Sequence, residues 1–133
     1  MRYATTEQLN RLSSASAIVA TFDDELKKEA LDVASALIDG YLRQRYVLPL
    51  VAFVPDVTWA AIAIASYDLL SARGYDPGVQ DNGNVRLRYE DAIKWLERVA
   101  NGEISPDIKD SSNEEESSGG HGIAVRSLPP RWF

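Results

Sequence analysis

A helical pattern runs directly into a proline-bounded apolar strip near the middle of the chain, and this junction constrains the fold more than any other feature. The junction is the run from Ile38 to Leu50, IDGYLRQRYVLPL. Pro49 disfavours helical backbone at Leu48, so the helix has to end before it. The apolar residues that follow, as far as Val54, are typical of extended chain. The fold must therefore place a helix and an extended strip next to each other.

Apolar residues recur at helical spacing in four segments of the first hundred residues. The predicted helices cover about 6–12, 24–46, 55–73 and 85–100. Thr5 followed by Gln8 is the pattern of a capping box at the start of the first helix. Asp23 or Asp24 is expected to open the second helix, because a carboxylate stabilises the positive end of a helix. Gly102 is a suitable stop for the fourth.

The second predicted helix has an apolar face and a charged face. Its expected core side consists of Leu26, Ala30, Val33, Ala34, Leu37, Ile38, Tyr41 and Leu42. Its expected solvent side carries Lys27, Lys28, Glu29, Asp32, Asp39 and Arg43. Gly40 falls inside this pattern, although glycine costs a helix roughly 1 kcal/mol relative to alanine. We therefore expect a close approach of another helix at Gly40, or a kink.

The third predicted helix begins at Pro55 and is apolar on most sides, which is typical of a central helix that others cover. The fourth has a narrower apolar stripe, formed by Val85, Tyr89, Ala92, Ile93, Leu96 and Val99. Residues 13–21 are small and polar, and residues 75–84 are rich in turn signals, so both segments are expected to be loops. The predicted fold class is all-α, with four helices and an extended apolar strip between the second and the third.

The composition of the chain changes sharply after residue 102. The segment 103–133 contains the run DSSNEEESSGG, which cannot bury enough apolar surface to fold by itself. It closes with LPPRWF, in which two large aromatic residues follow an arginine. We predict a helical domain over 1–102 and a flexible acidic tail with an aromatic end over 103–133.

The composition also excludes several classes of function. The chain has no cysteine, which excludes thiolate catalysis, disulfides and cysteine-based zinc sites. Its net charge of −6 argues against a protein that grips DNA through many phosphate contacts. No apolar run is long enough to span a bilayer, and the first residues lack the apolar core of a signal peptide. A cytoplasmic protein without a membrane partner is therefore expected.

No set of residues has the spacing of a catalytic, cofactor or metal site. His121 has no second ligand at metal-binding spacing, and Glu114 to Glu116 lack the pattern of a calcium loop. Helix capping explains the neighbouring carboxylates of Asp23 to Glu25. The chain has neither the Gly-Lys-Ser/Thr of a phosphate loop nor a Gly-x-Ser-x-Gly elbow. We expect no enzymatic activity, no cofactor and no metal.

Two segments combine arginine with aromatic residues, as the centres of protein interfaces often do. In the first, Arg43 and Arg45 lie beside Tyr41 and Tyr46, either facing a partner or forming an Asp39–Arg43 pair with Arg45 lying along the surface. The second, the closing RWF, either docks on a partner, is disordered or folds back on its own domain. The candidate interface residues are Tyr41, Arg43, Arg45, Tyr46, Val47, Leu48, Leu50, Phe53, Arg131, Trp132 and Phe133.

Three groups of motifs, taken in order, resemble one known family. They are MRYATTEQL at 1–9, ALIDGYL with RYVLPL within 36–50, and RYEDAIKWL with ANG within 88–102. Together they resemble the Mu-type phage and prophage family once labelled only as a domain of unknown function. That family is similar to the head-completion proteins, or head–tail connector adaptors, of long-tailed phages. The resemblance covers about residues 1–105.

This resemblance implies a small four-helix domain of connector type that forms a ring on the portal of the DNA-filled capsid, completes the head and provides the platform for the tail. The implied partners are the portal protein, tail or neck proteins and further copies of the chain, while DNA passes without sequence-specific binding. The implied location is the virion neck, and the host cytoplasm during assembly. The alternative from the residues themselves is a small bacterial helical regulatory or protein-binding module.

Overall fold

The structure, a computed structural model of the chain, describes residues 1–72 and 83–112, which form five helices and a two-stranded antiparallel sheet. The helices are α1 (Thr6–Leu12), α2 (Ser16–Val19), α3 (Asp24–Leu42), α4 (Pro55–Ala72) and α5 (Gly83–Ala100). The strands are β1 (Leu50–Ala52) and β2 (Lys109–Asp110). The fold is broadly all-α, as predicted, with one helix more than expected. Most of the loop predicted at 75–84 lies outside the described residues.

Local signals place the helix ends correctly. Thr5 Oγ1 accepts from the Gln8 amide at 3.0 Å, and the Gln8 side chain accepts from the Thr5 amide at 2.9 Å, so the predicted capping box is present. Asp23 is the N-cap of α3, as predicted, although its side chain makes no capping hydrogen bond. The C-terminal end of α5 closes at Gly102, whose φ of 87° suits glycine. The Glu103 amide reaches back to the Arg98 carbonyl at 2.9 Å, as in a Schellman motif.

Two predictions about the connections between helices are wrong. Residues 16–19 form the short helix α2, because Val19 is drawn fully into the core while small residues surround it. Helix α3 ends at Leu42 and not near Tyr46, and a tight turn follows in which the Tyr46 amide donates to the Leu42 carbonyl at 2.8 Å. After this turn, the apolar strip lies beside β2.

Helix α4 is the centre of the domain, as its apolar character predicts. It contacts α1, α2, α3 and α5, and its alanines allow those neighbours to approach closely. The apolar stripe predicted for α5 also faces the core, where Val85, Leu96 and Val99 are buried. The domain therefore has one hydrophobic core arranged around α4.

Helix α3 is rotated relative to the orientation predicted from its sequence. Val33 and Leu37 are 57% and 38% exposed, whereas Lys27, predicted on the solvent side, is buried. The Lys27 ammonium donates to Asn10 Oδ1 at 2.9 Å and lies 3.4 Å from the Asp24 carboxylate, so its charge is compensated where α3 meets α1. A Cβ on Gly40 would meet nothing within 4 Å, so the predicted close approach of another helix is wrong, and α3 continues through Gly40 as far as Leu42.

The predicted extended strip pairs with residues from the acidic segment. Strand β1 runs antiparallel to β2, with Leu50 opposite Asp110 and an irregularity before Ala52. The Asp110 carboxylate accepts from the Val47 amide at 2.6 Å, and Ile108 is buried against the core. Residues 103–112 thus lie on the helical domain. The flexible tail was predicted over 103–133, and its remaining residues, 113–133, lie outside the described residues.

Candidate interaction surfaces

The first candidate surface lies on the apolar strip, at Val47 and Val51. These two side chains are 53% and 49% exposed, although each lies next to a residue that packs against the core. The backbone beneath them is fixed by hydrogen bonds to β2 and to the residue after it, including the one from the Ser111 hydroxyl to the Pro49 carbonyl at 2.7 Å. Val47 and Val51, hereafter the strip surface, are therefore apolar groups held in water by a fixed backbone.

Several predicted interface residues support the strip from below. Leu50 is buried in the core, and Phe53 packs edge-on against the ring of Tyr3 with centroids 5.0 Å apart. Tyr41, Tyr46 and Leu48 are partly buried against the same core. These side chains position the strip more than they present a surface of their own.

Arg45 links the end of α3 to the end of α5. Its Nη1 atom donates to the Val99 carbonyl at 3.2 Å and to the Ile104 carbonyl at 3.3 Å, and its guanidinium lies 5.8 Å from the centroid of the Tyr46 ring. A cation near the C-terminal carbonyls of a helix is favourable. The geometry therefore gives Arg45 a structural role, while Arg43 stays exposed.

Asp39 pairs with the first residues of the chain and not with Arg43. The buried Tyr3 hydroxyl donates to the Asp39 carboxylate, and burial, reinforced by this hydrogen bond, raises the pKa of Tyr3 well above its usual value. About two helical turns away, Arg2 Nε donates to Asp32 at 2.5 Å, and this hydrogen bond lowers the pKa of the Asp32 carboxyl. These contacts fasten the N-terminal residues to α3.

The second candidate surface is a cleft of about 320 Å³ between α4, α5 and the end of α1. Trp59, 46% exposed, and Trp95 contribute its largest side chains, while Ala60, Ala63 and Ala92 leave the space between the helices open. Its charged lining residues are Asp56, Arg88 and Asp91. This α4–α5 cleft was not predicted. A helix that is apolar on most sides gives no indication of which side stays uncovered.

The third candidate surface is the exposed side of α3. Val33, Ala36, Leu37 and Gly40 are all exposed there and recur at the spacing of one helix face. We refer to these four residues as the α3 face. The signal was present in the sequence, because the apolar arc of α3 is wider than neighbouring helices cover, but its position depends on the rotation of the helix.

Within residues 1–72 and 83–112, no three His, Cys, Asp or Glu side chains are grouped so that they could hold a metal ion. In the same ranges, no helix is both long and apolar enough to cross a membrane. Asp24 and Glu25 lie 3.4 Å and 3.8 Å from Lys27 and Lys28 within α3, which agrees with a structural role. His121, Glu114 to Glu116 and the RWF run at 131–133 lie outside the described residues.

Comparison with known proteins identifies the family of this chain. The family described as Bacteriophage Mu, Gp36 matches residues 2–125 of the chain. The chain belongs to the phage Mu Gp36 family. The match includes the strip surface, the α4–α5 cleft and the α3 face. It confirms the resemblance to a Mu-type phage and prophage family that the motifs predicted.

Two curated relatives support the assignment to the Gp36 family. The "Mu-like prophage FluMu protein gp36" of Haemophilus influenzae is 39% identical over 100 residues, which cover 75% of this chain and 66% of the relative. "Gene product J" of Escherichia phage Mu is 32% identical over 108 residues, which cover 81% of this chain and 71% of the relative. The aligned part of the chain thus spans about two thirds of the length of these relatives.

Proposed function

We propose that this Gp36-family protein is a structural adaptor of a phage or prophage particle, which forms a ring on the portal, completes the head and provides the platform for the tail. The observation that carries the proposal is the exposure of apolar side chains on separate elements of one small domain. The strip surface, the α3 face and the α4–α5 cleft would each be covered in an assembly. A subunit that touches a neighbour on each side and a platform on a third needs such an arrangement.

The proposed assembly divides these surfaces between two tasks. Copies pack side by side through α3 and α4, with exposed Arg43 at the end of α3 on this side of the subunit. The strip surface meets the portal or the neck proteins. The aromatic end at Arg131, Trp132 and Phe133 is proposed to dock in the same direction. The chain contributes shape and contacts, and no catalysis is proposed for it.

The charge of the chain suits a ring through which DNA moves. A net charge of −6 disfavours the phosphate contacts that would hold the duplex in the channel. DNA is therefore proposed to pass without sequence-specific binding. The protein would be found in the neck of the virion, and in the host cytoplasm while particles assemble.

Two particle preparations test this proposal. One comes from a host with the intact gene, and the other from a host whose gene carries a premature stop codon. Cryo-electron microscopy of complete particles is expected to show a ring of this chain between portal and tail, and the interrupted gene to give heads without tails. Val51→Asp, which places a charge on the strip surface, should reduce the copies per head measured by mass spectrometry. Asn84→Asp, an exposed change of equal charge at the start of α5, should not.

Circular dichroism of both purified variants would verify that they remain folded. A neck of normal structure in particles that lack the protein would contradict the adaptor function.

A further inference from the structure

The α3 face and the α4–α5 cleft have complementary shapes. Val33 and Leu37 are one helical turn apart and project from α3, while Ala36 and Gly40 beside them are small. The cleft extends along α4 from Asp56 to Ser66, which is about 15 Å at the rise of a helix. A ridge of side chains on one helix fits a groove between two others, which is the ordinary mode of helix packing.

The charges around the two surfaces are also complementary. On α3, Glu29 precedes the exposed face and Arg43 follows it, and neither forms an ion pair within the described residues. In the cleft, Arg88 is the sequence neighbour of Tyr89, whose ring stacks on that of Tyr67 with centroids 4.2 Å apart. Because Tyr67 belongs to the C-terminal half of α4, Arg88 lies towards that half.

Two acidic residues also line the cleft. Asp56 lies three turns before Tyr67, at the start of α4, and Asp91 lies one turn from Arg88 on α5. Neither carboxylate is ion-paired with a described residue. The cleft is therefore acidic at the start of α4 and basic near Tyr67. Along α3 the order is also acidic to basic, so opposite charges meet when α3 of a second copy lies antiparallel to α4.

We infer that the α3 face of one copy seats in the α4–α5 cleft of the next copy, with Glu29 towards Arg88 and Arg43 towards Asp56. The same chain supplies both halves, with matching shape and opposite charge, which identifies a second copy as the occupant. Because the two halves differ, the contact is head-to-tail, and its repetition generates a ring when the rotation closes. This inference deepens the proposed function, since ring closure on the portal rests on that proposal.

Cysteine cross-linking tests the contact without background, because the full chain has no cysteine. Leu37→Cys on the α3 face and Ala63→Cys in the cleft are expected to join copies when combined in one chain and oxidised, giving a ladder of covalent oligomers. The matched control combines Val51→Cys with Ala63→Cys, which should not give a ladder. Both double variants would be oxidised as concentrated purified protein and inside assembled particles.

A charge-reversal pair provides a second measurement on the same contact. Arg88→Glu in the cross-linking chain should lower the yield of covalent oligomers several-fold, and adding Glu29→Arg should restore it. Restoration by the second reversal requires that the two residues face each other across the interface. Circular dichroism would verify that each variant is folded.

The outcomes separate this contact from the adaptor function. A ladder from the Leu37→Cys and Ala63→Cys chain alone supports the contact. The same yield from the control chain, or no ladder either in solution or in particles, overturns it. Particles with a neck ring but no ladder would remove the contact and keep the adaptor function. A ladder in solution, from a chain that is missing from particle necks, would keep the contact and remove the adaptor function.

Discussion

Gly40 lies on the solvent side of α3, where its missing side chain leaves open space. Since glycine has more freedom than alanine in the unfolded chain, Gly40→Ala should raise the free energy of unfolding by about 0.5–1 kcal/mol. Urea unfolding followed by far-ultraviolet circular dichroism measures this change. Gly102→Ala is the matched control and should lower stability by about 1 kcal/mol, because a φ of 87° strains any residue with a Cβ. A loss of stability in Gly40→Ala would show that the glycine is needed in α3.

Tyr3 makes the stability of the domain sensitive to alkaline pH. Burial, followed by the hydrogen bond to Asp39, raises its pKa in the folded chain, while the unfolded value is about 10. A group whose folded pKa is raised contributes stability that is complete below its unfolded pKa and is lost above it. The free energy of unfolding should therefore fall as the pH rises above about 10.

Tyr3→Phe removes this proton and should make the decline above pH 10 shallower. It also removes the hydrogen bond to Asp39, so it should cost about 1 kcal/mol at neutral pH. Phe53→Leu, which alters the ring packed on Tyr3 without removing the hydroxyl, should lower stability and keep the original pH dependence. Urea unfolding at several values of pH distinguishes the two, and equal slopes in Tyr3→Phe and the parent chain would contradict the role of Tyr3.

At the scale of elements, β2 holds the apolar strip in place through one buried carboxylate. Asp110 accepts from the Val47 amide at 2.6 Å and from the Ser112 hydroxyl at 2.6 Å. Asp110→Ala would leave a strip amide without its acceptor, which should lower the free energy of unfolding by about 1–3 kcal/mol. Asp107→Ala, an exposed change three residues earlier, should have little effect. Equal urea midpoints for the two variants would show that the Asp110 carboxylate adds no stability.

The elements that the sequence predicted well are those defined by local signals. Thr5, Asp23, Pro55 and Gly102 each mark a helix end, and each acts through neighbours a few residues away. The rotation of α3 depends on where α1 packs, so the exposure of Val33 was not predictable from periodicity alone. Pairing of β2 with β1 joins residues about 60 positions apart inside a polar segment, and no local pattern indicates it. The α4–α5 cleft is likewise a property of packed helices.

At the scale of the whole molecule, the exposed apolar groups lie on elements that a substitution can alter separately. The α3 face and the cleft belong to the helices, whereas Val47 and Val51 belong to the strip. A change in the strip therefore leaves the self-contact intact, and a change in α3 leaves the strip intact. In a ring, this separation has a genetic consequence, because every copy contributes to one shared platform.

Val51→Asp is expected to be dominant when it is produced together with the unaltered chain. Although the altered chain alone is recruited poorly, its copies keep the α3 face and the cleft, so unaltered neighbours hold them in mixed rings. There they place charges on the platform, which should reduce the yield of tailed particles. Adding Leu37→Asp and Ala63→Asp to the same chain should abolish this dominance, because copies that cannot join the ring cannot place charges on its platform. Counting tailed particles by electron microscopy measures both effects, with circular dichroism to verify folding. If the triple variant still lowers the yield of tailed particles, the effect of Val51→Asp does not depend on entry into the ring through the α3 face and the cleft.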